Sequence, residues 1–226
     1  MISFLRYSIA AFATLAATAP ALGGLIQNPS FETPSVSPSQ LFFNGQTIGA
    51  GWEVLSGNTA YIITDDAGQG TTPFGRQFLE VHFDTVGQTL SGLSVGSSYV
   101  LSYYATAQSN ANYFGAGNIT ANVGGVTDVF SYSLTGNNPY GTALPWTHRE
   151  LTFVATAPSE LLTFSGSGAM NFRPLGAFDN VSIAAVPEPK SYFSFVLLLV
   201  PRRFRPRGKS HRVAVVTSDR LIRTFS

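Results

Sequence analysis

The sequence predicts an all-β domain, an antiparallel sandwich or jelly roll, and three observations predict it. In the middle of the chain apolar residues recur with period two in short runs, not at the i, i+3, i+4, i+7 spacing of a helix face. Turn signals bound these runs: Ser56-Gly57-Asn58, Val95-Gly96-Ser97, Gly124-Gly125 and Gly166-Ser167-Gly168. Only 11% of the 226 residues are charged, against about 25% in an average globular domain, which leaves few ion pairs with which to build helices. Regular short strands with such punctuation indicate two packed antiparallel sheets.

The elements follow in chain order. Residues 1–21 carry one early positive charge, Arg6, an uncharged run from Tyr7 to Ala19, and the small residues Ala19 and Ala21. These are the parts of a secretory signal peptide, with cleavage expected after Ala21. Residues 22–185 form the expected sandwich. Leu79, Val81 and Phe83 share one face of a half-buried strand, leaving Glu80, His82 and Asp84 on a solvated face. Similar runs are Tyr99–Thr106, Arg149–Thr156, Leu161–Ser165 and Ala177–Ile183. Residues 186–207 begin with Val186-Pro187-Glu188-Pro189 and continue through the apolar run Tyr192–Val200 to Arg202, Arg203, Arg205 and Arg207. Residues 208–226 are a basic tail, expected to be disordered or frame-shifted after Val200. A membrane span needs about 20 apolar residues, and Pro201 ends this run early.

Composition narrows the chemistry. The absence of cysteine excludes disulfides, thiolate zinc sites and a cysteine nucleophile. The formal net charge of +1 divides unevenly: Leu22–Pro189 holds three basic and eleven acidic side chains, a net −8, while the segment after Val200 is strongly basic. An exported acidic domain suits no nucleic acid and no polyanion bound through a basic patch.

Several stretches occur together in a telling order: Leu25-Ile-Gln-Asn-Pro-Ser-Phe-Glu32, Gly51-Trp52, Gln77-Phe-Leu-Glu-Val81, Gln88–Tyr99 and Gly176-Ala-Phe-Asp-Asn-Val-Ser-Ile183. With the Pro-Glu-Pro tail they resemble proteins with a PEP-CTERM sorting signal and a choice-of-anchor domain, a galactose-binding-like jelly roll related to carbohydrate-binding modules. The resemblance implies export to the cell envelope or extracellular matrix of a Gram-negative bacterium. It also implies processing by an exosortase with transient membrane contact, and association with exopolysaccharide. It places the first and last strands side by side, and implies that Glu32 and Asp179 hold a structural calcium ion, whose hard-oxygen preference suits two carboxylates.

Sugar recognition needs aromatic faces beside amides and hydroxyls, because pyranose rings have apolar faces and polar rims. Two loops have that composition and nominate Asn110, Asn112, Tyr113 and Phe114 in one, Asn137, Asn138 and Tyr140 in the other. Trp52 and Trp146 are expected in the core. No catalytic set is expected: Asp65-Asp66 are adjacent, whereas glycosidase carboxylates face each other about 5–10 Å apart across a cleft, and His82 and His148 lack partners at catalytic spacing. The expected function is a non-catalytic, carbohydrate-binding surface or matrix protein. A structural surface protein without a saccharide ligand is the alternative, and a polysaccharide hydrolase a third.

Overall fold

A computed structural model describes residues 24–58, 60–67, 70–108, 115–134, 145–168 and 175–187. The chain divides into two units after Pro189. The second unit, the signal segment and half of the sorting motif (Glu188 and Pro189) lie outside the described residues; Val186 and Pro187 directly follow the last strand.

Among the described residues twelve strands form two six-stranded antiparallel sheets. The first sheet contains β1 (Ser39–Phe42), β4 (Ala60–Thr64), β5 (Gln77–Val81), β12 (Gly176–Ala185), β7 (Ser98–Ala107) and β10 (Thr147–Val154), in that spatial order. The second contains β2 (Thr47–Ile48), β3 (Trp52–Ser56), β6 (Thr85–Ser91), β11 (Ser159–Gly168), β8 (Gly115–Val123) and β9 (Val126–Leu134). From β6 onward every strand lies in the opposite sheet to its predecessor except across the β8–β9 hairpin. This winding is that of a jelly roll. The hairpin turns at Gly124 and Gly125, whose φ values of 58° and 75° suit the primed turns that glycine adopts without strain. The only helical element among the described residues is a 3-10 turn at Asp65–Ala67, and no helix is long and apolar enough to cross a membrane.

Inward side chains alternate along both sheets and meet in one core that includes Trp52, Val54, Leu79, Leu101, Tyr103, Ile119, Leu162, Phe164 and Phe178. Phe164 and Phe178 stack at 4.0 Å, and Trp52 lies about 6 Å from both. Trp52 is therefore core, as expected. The expected turn at Gly166–Gly168 is instead strand: these glycines extend β11, where a Cβ on Gly166 would collide with the His82 carbonyl and the Gly166 amide bonds the Asp84 carbonyl at 2.9 Å.

The seam between the sheets is pinned on one side by a polar group. Tyr103 on β7 donates to Asp128 Oδ2 on β9 at 2.8 Å, and Arg149 on β10 grips both oxygens of the same carboxylate. Burial works to raise the Asp128 pKa, but the hydrogen bonds from Arg149 and Tyr103 outweigh it and hold the carboxyl below its ordinary value.

Candidate functional site

The segment before β1 makes no ladder; side chains lash it to both sheets. Gln88 on β6 accepts from the Gln27 amide at 2.7 Å and donates to the Gln27 carbonyl at 3.0 Å. Gln77 on β5 donates to the carbonyls of Phe31 and Pro34 and accepts from the Val36 amide. Two glutamines thus satisfy main-chain groups that strand pairing would otherwise serve. Asn28 and Phe31 adopt φ of 50° and 55°, a left-handed turn that is unusual for a bulky residue such as Phe31. The turn sends Phe31 into the core against Trp52 and Phe178, at 5.3 Å from each, and leaves Glu32 facing outward.

Glu32 meets the other end of the domain there. Its Oε1 accepts from the Arg76 and Gln77 amides at 2.8 and 2.9 Å, and a Cβ on Gly75 would collide with it. In β12 the register shifts between Asp179 and Ser182, Asn180 takes φ 51°, and the Val181 amide bonds the Pro29 carbonyl at 2.9 Å. Asp179, still in register opposite Tyr104, is buried against the connection after β4: Oδ1 accepts from the Asn180 amide at 2.6 Å and Oδ2 accepts from the Thr72 hydroxyl. Burial pushes the Asp179 pKa up to about 7 against those two hydrogen bonds, and the charge of Glu32 adds to the rise. The structure thus brings the two candidate metal ligands into one neighbourhood. Two carboxylates and the Thr72 hydroxyl meet there, oxygen ligands of the kind a hard cation takes. Among the described residues no three acidic, His or Cys side chains gather, so a calcium ion here would need hydroxyl and main-chain oxygens to complete its shell.

A second neighbourhood lies on the outer face of the first sheet. Phe78, Ile63 and Ala177 point away from the main core and form a smaller cluster with Tyr61, Ala67 and Trp146. The connection after β4 folds over them: Phe74 packs on Tyr104 at 4.2 Å, and Trp146 donates to the Thr71 carbonyl at 2.8 Å. Glu80 and His82 share this face. They are not solvated, as the alternation suggested, but 2% and 4% exposed, while Phe83 is 44% exposed. The reason is the extra layer, which buries every residue of β5 on both sides; beyond Val81 the chain leaves the strand and Phe83 turns outward. His82 Nε2 lies 2.5 Å from Glu80 Oε1, and the Tyr61 ring lies 5.8 Å from the imidazole. Across β12, Gln108 is 1% exposed, and its main-chain N–H donates to the Leu175 carbonyl at 2.9 Å.

This neighbourhood sits at the end of the sandwich where the connections cross. The register pairs Val81 with Gly176, Gly176 with Ala107, Gly117 with Gly168 and Gly115 with Leu134. Segments 109–114, 135–144 and 169–174 therefore all depart from that one end. The expected sugar-binding residues Asn110, Asn112, Tyr113, Phe114, Asn137, Asn138 and Tyr140 belong to two of these segments and lie outside the described residues. From the sequence Glu80 and His82 are expected on a solvated face, and Gln108 and Tyr61 are not singled out. The available signal was Phe78, a bulky apolar residue on the same face as Glu80 and His82, which marks a strand covered on both sides.

Other candidates separate. His148 is exposed at the sheet edge, with Nε2 at 2.7 Å from Ser102 Oγ. Asp65 accepts from the Thr72 amide at 3.1 Å within the loop, where it caps a turn.

No family model matches the chain, and no curated protein sequence matches it. Among solved structures, a cyclase from Fischerella sp. TAU in complex with 4-(1H-indol-3-yl)butan-2-one is 17% identical, covering 72% of this chain and 96% of that one, with a TM-score of 0.46. A family 61 carbohydrate-binding module in complex with β-1,4-galactotriose is 16% identical, covering 72% and 98%, with a TM-score of 0.41. A xylan-binding domain from Paenibacillus barcinonensis is 14% identical, covering 67% and 94%, with a TM-score of 0.39. The jelly-roll assignment rests on the strand pairing itself.

Proposed function

We propose that this chain is an exported, non-catalytic surface or matrix protein whose sandwich binds polysaccharide at the end where its sheet-to-sheet connections cross. The observation that supports it most is that the described strand ends flanking residues 109–114, 135–144 and 169–174 lie at the same end of the sheets as Tyr61, Trp146, Glu80, His82 and Gln108. Aromatic planes beside buried amide, imidazole and carboxylate groups are what a pyranose requires. In this reading calcium between Glu32 and Asp179 ties the first segment to the last strand, and Val186-Pro187-Glu188-Pro189 opens the signal that an exosortase-type enzyme processes at the membrane.

The test is affinity electrophoresis of the full chain against polysaccharide extracted from the producing bacterium. Retardation is expected, reduced by Tyr113→Ala and Tyr140→Ala. Free migration of a folded protein on every polysaccharide would sink the reading. A surface-packing role without saccharide draws on the exposed Val126, Val129 and Val154 on β9 and β10; concentration-dependent self-association in sedimentation, lost on Val129→Thr, would favour it.

A further inference from the structure

Among the described residues β9 and β10 are the last strands of their sheets on one side of the sandwich, and Asp128 and Arg149 link them. An edge strand leaves a row of main-chain N–H and C=O groups free to pair with another strand. Proteins blunt such edges with Lys, Pro, a bulge, a very short length or an inward-pointing charge. β9 uses only the last. Val126–Leu134 is nine residues with no Lys, Arg, Pro or Gly, and its one charge, Asp128, faces inward. The register with β8 runs unbroken from Val126 to Leu134. Thr127, Val129, Ser131 and Ser133 are exposed, Val129 at 46%.

One position along this edge is occupied. Arg149 grips both Asp128 oxygens, and its Nη2 also donates to the Val129 carbonyl at 3.2 Å. The Val129 N–H in turn helps to hold the Asp128 carboxyl low. Val129 therefore turns its main-chain groups away from β8, and in an antiparallel ladder Thr127, Ser131 and Ser133 turn the same way. The clamp takes up the groups that a further strand would need in the middle of β9. Beyond Val129 the edge carries no such cover among the described residues.

We infer that β9 is a self-complementary pairing edge whose partner is β9 of a second copy of this chain, and that Arg149, anchored on Asp128, keeps it shut. Antiparallel pairing of two β9 strands about Phe130 makes the outward-turned residues meet as ladder pairs, Val129 with Ser131 and Thr127 with Ser133. Phe130 falls opposite its own copy, an aromatic cross-strand pair of the kind that stabilises sheets. Asp128, the one charge, falls opposite Tyr132 and so meets no second carboxylate. This matching of the strand to itself is what selects a second copy as the partner. Val129 enters the pairing once from each side, so the Arg149 clamp blocks it twice. The inference goes beyond the polysaccharide reading and does not depend on it.

The experiment measures self-association of the full chain by sedimentation equilibrium for wild type, Arg149→Met and Arg149→Lys, each with and without Ser131→Pro. Arg149→Met removes the donor to Val129 while keeping the packing of the arginine stem. It is expected to dimerise about tenfold more tightly than wild type, the scale of two ladder bonds regained. Arg149→Lys keeps a charge beside Asp128 but lacks the fork that serves carboxylate and carbonyl together. It is expected to dimerise more tightly too, and it carries the test if Arg149→Met does not fold. Ser131→Pro removes an N–H that β8 does not use, which an edge strand tolerates, and is expected to return both variants to wild-type behaviour. Because the chain has no cysteine, the register can be read directly: on the Arg149→Met background, Val129→Cys with Ser131→Cys is expected to give a disulfide-linked dimer, and Thr127→Cys alone is not. Folded Arg149 variants that associate no more tightly than wild type would overturn the inference. So would association that survives Ser131→Pro, or a covalent dimer through Thr127→Cys alone.

Discussion

The outer faces of the two sheets are built to different rules. That of the second sheet is a field of short polar side chains: Thr85, Ser165 and Thr120 follow one another across three strands, as do Ser167, Asn118 and Ser131. These residues are exposed or half-buried, and the Thr85 and Ser165 hydroxyls lie 2.9 Å apart. The outer face of the first sheet is, over β4, β5 and the start of β12, a second interior, with Phe78, Ile63, Ala177, Glu80 and His82 all buried. Solvent can satisfy any hydroxyl on the open face. On the covered face each polar atom must find a partner in the protein or in something the protein binds. The difference teaches that unpaired chemistry points to function only where water has been excluded.

The sharpest way to break this comparison is Phe78→Ala. If the covered face is a true interior, this variant loses about 3–5 kcal/mol of stability in urea denaturation, as a core aromatic does; a loss under about 1 kcal/mol would make that face an ordinary surface. Calcium comes next. If Glu32 and Asp179 hold the ion, a hundredfold excess over Kd adds about 2.7 kcal/mol and raises the melting temperature, and Glu32→Gln abolishes the rise. An unchanged melting temperature with and without chelator would remove calcium from the account.

The seam at Asp128 tests whether the two sheets are held by more than the shared core. Its carboxyl is lowered in the folded state, so its contribution is present above the ordinary carboxylate pKa and is lost as pH falls through the lower, folded value. Asp128→Asn is expected to lose about 1–2 kcal/mol at neutral pH and to flatten the acid limb of stability against pH. An acid limb identical to wild type would contradict this. The smallest effect belongs to the open face: Val129→Thr should change stability by no more than about 0.5 kcal/mol, and a larger loss would show that this face is covered too.

The fold was legible where alternation is long. Tyr99–Thr106, Arg149–Thr156, Leu161–Ser165 and Ala177–Ile183 each fall largely within a strand, because one face meets the core and the other does not. The short strands β1 to β4 left too few residues for a period to show. The neighbourhood of Glu32 and Asp179 was legible through the resemblance, but not the left-handed residues Phe31 and Asn180 that build it, since backbone sign is written in no side-chain pattern. His82 was misread for a physical reason: period two reports which residues share a face, not what later packs on that face.

The bond from the Val181 amide to the Pro29 carbonyl joins residues almost a full domain apart in sequence. With Gln77 and Gln88 it makes the segment before β1 the last piece that can settle. A ribosome delivers that segment long before β12, so this bond cannot form while the chain is still emerging. High separation of paired segments also slows folding itself. The topology therefore leaves the seam open until β12 has been made, and closes it last.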